Sequence, residues 1–121
     1  MIDPKWVTRQ LVELIHEGMI EIGGGSHGLR DAALLESALA RPQNLHAYGE
    51  TDIFQFAASY AEGIARNHAF FVASDFLEQN GYELQSAIDQ EHADMMVELG
   101  QGNISREEAA DHLRKSSVKI N

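Results

Sequence analysis

Apolar residues return every three to four positions along most of this chain, the spacing of helices with one buried face. Val7, Leu11, Leu14, Ile15 and Ile22 form the first such stripe. Asp3-Pro4 is its predicted start, because Asp is a favoured N-cap and Pro fits the first helical position. Gly23-Gly24-Gly25 is its predicted stop, since glycine adopts left-handed geometry cheaply. A second helix is expected from about Asp31, with Leu34, Leu35, Ala38 and Leu39 inward, closed at Arg41-Pro42 because proline disfavours helix in the residue before it. Residues 42–51 then read as a polar connection. Thr51 or Asp52 caps a third helix carrying Ile53, Phe56, Ala57, Tyr60, Ala61, Ile64 and Ala65. The small residues in that set predict a central helix closely packed by its neighbours.

The run Ile64-Ala65-Arg66-Asn67-His68-Ala69-Phe70 carries this third stripe to its end, and Phe71 to Gln79 forms a fourth helix stopped by Asn80-Gly81. The junction either fuses the two helices or squeezes a break in at Ala69-Phe70-Phe71. A fused helix is sterically feasible, with Ala61, Ile64, Ala65, His68, Val72 and Phe76 roughly on one face. Tyr82-Glu83-Leu84 suits a brief extended segment. A fifth helix carries Ile88, His92, Met95, Met96 and Leu99 and ends at Gly100 and Gly102. Ser105-Arg106-Glu107-Glu108 is a capping box that starts a last helix through Leu113. The expected architecture is a compact all-α bundle of about six helices, a single domain over residues 1–121 with no repeat or long linker.

Composition narrows the function classes. Nine Lys and Arg against 19 Asp and Glu leave a formal charge of −10. That disfavours nucleic acid and anionic membranes, and it steers basic protein partners inward. No apolar run is long enough to span a bilayer and no signal segment opens the chain. The absence of cysteine removes disulfides and thiolate metal sites and fits a cytoplasmic protein.

Six histidines invite a metal reading: His16, His27, His46, His68, His92 and His112. None forms a pair one turn apart, and His16-Glu17 has no second His to complete a zinc motif. Gly23 to Gly28 is glycine-rich but follows a helix and lacks Gly-Lys-Ser/Thr, so it reads as a helix stop and turn. His68 differs by position. It ends the most apolar helix, where burial and neighbours can hold an imidazole neutral and able to accept a proton. A purely structural histidine remains open at this point. Tyr60, Arg66 and Asn67 are further residues that could line such a site.

Several stretches, in order, resemble the Fic/Doc family in its death-on-curing branch. They are Gly23-Gly24 through Gly28-Leu29-Arg30-Asp31, Leu35-Glu36-Ser37-Ala38, Arg41-Pro42-Gln43, His68-Ala69-Phe70, Asn80-Gly81-Tyr82, Met96-Val97-Glu98-Leu99 and Gly102-Asn103-Ile104-Ser105. The resemblance covers nearly the whole chain. It implies a helical fold bearing His-x-Phe-x-Asp/Glu-Gly-Asn-Lys/Gly-Arg. In that motif the His is general base on a target hydroxyl and the acidic residue helps hold Mg²⁺. The following backbone and the Arg grip nucleotide phosphates. The resemblance further implies ATP as co-substrate and an antitoxin whose helix lies in the toxin's groove. It implies a phosphoryl or AMP transfer to a protein target, with elongation factor Tu leading and translation blocked as the result.

Only the first half of the motif carries over, His68 as base and Phe70 as packing residue. The chain continues as Phe71-Val72-Ala73-Ser74-Asp75-Phe76-Leu77, with no acidic ligand, phosphate nest or Arg, and the next cation after Arg66 is Arg106. No residue of the chain is therefore assigned to metal or nucleotide. Phosphoryl transfer depends on positioning and on neutralising phosphate charge, and the partial charge of a helix N-terminus does not replace metal plus Arg. Two functions are expected in competition. The first is a Fic/Doc-type toxin using ATP and Mg²⁺ with His68 as base. The second is a catalytically inactive relative that only binds an antitoxin or other helical partner.

Overall fold

The computed structural model describes residues 4–14, 32–63, 66–85 and 89–120 of the chain. Within them the protein is a compact set of six helices with one tiny antiparallel ribbon, the all-α class that the apolar spacing predicts. The glycine-rich stretch Gly23–Gly28, together with Ile22, His16, His27, Ile64, Ala65 and Ile88, lies outside the described residues.

The first helix, α1, covers residues 9–14 and so begins later than Asp3-Pro4 predicts. Thr8 is its cap, its hydroxyl oxygen accepting the Leu11 amide at 3.2 Å. Tertiary bonds hold the preceding residues out of the helix. The Asn80 carboxamide brackets Lys5, accepting its amide at 2.8 Å and donating to its carbonyl at 3.0 Å. The Val7 amide donates to the Tyr60 hydroxyl at 3.0 Å.

Helix α2, Ala32–Ala47, runs straight through Pro42, where the sequence predicts a stop. Proline inside a helix costs about 3 kcal/mol. Here the ring is fully buried, and the added turn places His46 edge-on to Trp6 and Phe56, at centroid distances of 5.6 and 5.8 Å. Burial of the Pro42 ring and the packing of His46 offset the local penalty. The connection shrinks to residues 48–52, turning at Gly49 with φ of 106°.

Helix α3, Ile53–Gly63, is capped by Asp52, whose Oδ1 accepts the Phe54 amide at 2.9 Å. Phe54 and every residue from Phe56 to Ala61 are buried. This is the central helix its small residues predict, packed by α2 and by two later helices, α4 (Arg66–Gln79) and α6 (Arg106–Lys115). Gly63 lets α2 approach: a Cβ there would sit 2.9 Å from Ala38 Cβ and 3.2 Å from its Cα. Neither atom is the end of a flexible chain, so Gly63→Ala should destabilise the protein by about 1–3 kcal/mol through overpacking. A urea midpoint equal to that of the parent would contradict this close contact.

Asn80-Gly81 ends α4 as expected, with Gly81 at φ 94°. Strand β1, Tyr82–Leu84, pairs antiparallel with β2, Ser117–Lys119, in the register Glu83 opposite Val118. The sequence marks the first strand; the second is too short and mixed to show a period. Between them lie α5, Asp89–Gly100, and α6. Both bonds of the Ser105/Glu108 capping box are present. Arg114 near the end of α6 bridges Asp111 and Asp52 and lies over the Phe54 ring at 5.3 Å. It ties the last helix to the start of the central one.

Candidate functional site

Residue 68 is the third residue of α4, not the last of α3. Nothing in the spacing of the apolar stripe from Ile53 to Phe70 marks two elements, α3 to Gly63 and α4 from Arg66. Gly63, the weakest helix former of the stretch, stands where α3 ends. Helix α4 then continues without interruption through Phe70 and Phe71 to Gln79. The junction expected at residues 69–71 is therefore ordinary helix.

That continuity fixes the surroundings of the residues after the histidine. Counting on from His68, the motif's acidic position falls on Val72, and its Gly-Asn-Lys/Gly-Arg on Ala73, Ser74, Asp75 and Phe76. Val72, Ala73 and Phe76 are all 0 % exposed. Position 68 shares a helical stripe with Val72 and Phe76. Phe76 closes on Tyr60 at 5.1 Å between ring centroids and stacks on Trp6 at 6.1 Å. Phe71, about half exposed, stands outside this set of buried residues.

These residues do not fit a Mg²⁺-bound nucleotide. Beyond the first turn, helical amides are engaged by carbonyls four residues back, so they cannot turn outward as a phosphate cradle. An alkyl group fills the place of the metal-binding carboxylate, and a buried ring that of the Arg. The half-buried Asp75 adds negative charge where cation is needed. Burial raises its carboxyl above the usual range, with nearby Glu78 adding to the effect. Among the described residues, no cluster of three or more His, Asp or Glu is placed to hold a metal. No helix among them is long and apolar enough to cross a membrane.

Tyr60 does not line an open site. It is fully buried, its hydroxyl accepts the Val7 amide, and burial pushes its pKa up to about 12. Its role is to fix the N-terminal segment over α3 and α4. His46 packs in the same aromatic cluster. His92, buried, and His112, half-buried, meet each other between α5 and α6. Twenty residues separate them in sequence, and no local spacing marks the pair.

The helical frame, with a histidine opening α4 and an Asn-Gly stop closing it, defines the class. Residues 6–74 match the Fic/DOC family, and the chain belongs to it. The chain is also similar to the protein described as protein kinase doc of Escherichia phage P1. The two are 33% identical over 111 residues, which span 84% of this chain and 86% of that relative.

Proposed function

We propose that this protein is the Doc-type member of a toxin–antitoxin pair and that, with the sequence it carries, it engages a protein partner without transferring phosphate. Family membership and the similarity to protein kinase doc support the first half. The observation that carries the second is the unbroken α4, with Val72, Ala73 and Phe76 buried where phosphate and metal ligands would stand. The partner of this reading is an antitoxin that docks a helix on the protein, inside the cell. A charge of −10 favours a partner with a cationic face.

A second reading is supported by the name of the relative, a protein kinase. In it, His68 accepts the proton of a hydroxyl on a protein target, elongation factor Tu first, as that oxygen attacks ATP. AMP transfer is its variant. One assay separates the two readings. The purified protein is incubated with Mg²⁺, elongation factor Tu and ATP labelled at the γ or the α phosphate. No label above background is expected, and no growth arrest on expression. The intact mass of the assayed protein should be 13.4 kDa. Labelled target from a chain of that mass would overturn the non-transferring reading, and loss of label in His68→Ala would then assign the base.

A further inference from the structure

His92 sits in the first turn of α5, 1 % exposed, and His112 lies half-buried near the end of α6. His92 Nδ1 is 2.8 Å from His112 Nε2, and His92 Nε2 is 3.1 Å from the carbonyl oxygen of Gln85, just past β1. The rings meet edge to face, 5.1 Å between centroids. A carbonyl oxygen only accepts, so the hydrogen of His92 is on Nε2. Its Nδ1 is then the acceptor, and His112 Nε2–H is the donor. With both rings neutral, the bond order runs His112 to His92 to Gln85.

We propose that the His92–His112 pair is a proton-operated clasp, which holds α5 against α6 and the end of β1 when neutral and releases α5 in mild acid. A single added proton on the pair leaves one N–H between the two nitrogens, and only when both rings are charged do two N–H groups oppose each other at the 2.8 Å contact, so that the bond is lost. The first proton, on either ring, already puts a charge at this buried contact, which costs solvation. Burial lowers the His112 pKa below 6.5, the neighbouring His92 lowers it further, and Glu91 opposes both. The other charged groups on the elements packed around the pair are Asp89, Asp94 and Glu98 on α5, Arg106, Glu107, Glu108, Asp111, Arg114 and Lys115 on α6, Glu62 on α3, Arg66, Asp75 and Glu78 on α4, and Glu83 on β1.

A lowered pKa sets the sign. As pH falls through 6.5 the opened chain takes its proton before the folded one, so opening becomes easier. The stabilisation is complete above that pH and is lost below it, until the folded pair also binds its proton. Release of α5 would bare Met95, Met96 and Leu99, all now buried.

The test is amide hydrogen exchange at pH 7.5 and 5.5, corrected for intrinsic chemical exchange, on the parent and on His92→Gln/His112→Gln. Glutamine can both donate and accept along the same line and does not titrate. Parent α5 should lose protection by up to about tenfold per pH unit for each proton taken, while α3 changes far less. The double variant should match the parent at pH 7.5 and lose the acid dependence. Equal loss in α5 and α3, or the same acid dependence in the double variant, would overturn the clasp. If the double variant does not fold, ¹⁵N imidazole spectra of the parent at pH 7.5 decide. They should show His92 protonated on Nε2, and Nδ1 protonation there would defeat the proposal.

Discussion

Inserting Ser-Asp-Gly-Asn-Lys-Arg between Phe70 and Phe71 is expected to raise phosphoryl or AMP transfer to elongation factor Tu about a thousandfold or more over the parent. The parent places Val72, Ala73 and Phe76 in the core at the positions the family motif gives to acid, glycine and arginine. The insertion leaves those three free to keep their packing and adds the charged segment as a loop ahead of them. The Asp then supplies the metal-binding carboxylate, Gly-Asn-Lys the outward amides and Arg the charge that stabilises the transferred group. His68→Ala in the inserted protein should remove about 10²–10⁴ of the gained rate, the usual contribution of a general base. The readout is label from ATP on the target at equal protein concentration. A folded inserted protein that labels no faster than the parent would mean that this chain lacks more of the active site than the loop. A parent that already labels at the inserted rate would show that a buried, unbroken α4 does not prevent transfer.

The same helix shows which signals the sequence carries well. Signals resting on one side chain and its nearest amides are legible: Asp52 before α3, Asn80-Gly81 after α4, and the Ser105/Glu108 box before α6. Those bonds form within a few residues, so distant packing rarely reverses them. Two of the misplacements have a distant partner. Pro42 continues α2 because its own ring is buried and the following turn sets His46 against Trp6 and Phe56. Residues 4–8 stay non-helical because Asn80 and Tyr60 hold their backbone from the far end of the fold. The candidate site divides in the same way. Residues 68 and 70 are marked by their motif, and the missing half of that motif is visible in the sequence as it stands. That the missing half is replaced by buried helix, and not by an exposed turn, rests on the aromatic packing of Phe76, which spacing alone does not reveal.

That packing yields the second large effect. Phe76→Ala is expected to destabilise the protein by about 3–5 kcal/mol, the range for emptying a buried phenylalanine site. Phe76 is 0 % exposed, stacks on Trp6 with planes 20° apart and leans on Tyr60. Its backbone carbonyl also accepts from Asn80 Nδ2 at 2.8 Å, the same side chain that brackets Lys5. Loss of the ring therefore loosens α4 and the N-terminal segment together, and the cavity has rigid aromatic walls that collapse poorly. Domain stabilities of about 5–15 kcal/mol leave little margin for such a change. Phe71→Ala, five positions earlier in the same helix, should cost about 1 kcal/mol or less, since that ring is already 48% exposed. The two substitutions remove the same atoms, so the difference between their urea midpoints measures position alone. Similar losses at both sites would mean that α4 is rotated from the register described, and the burial of Val72 and Ala73 that displaces a phosphate site would fall with it.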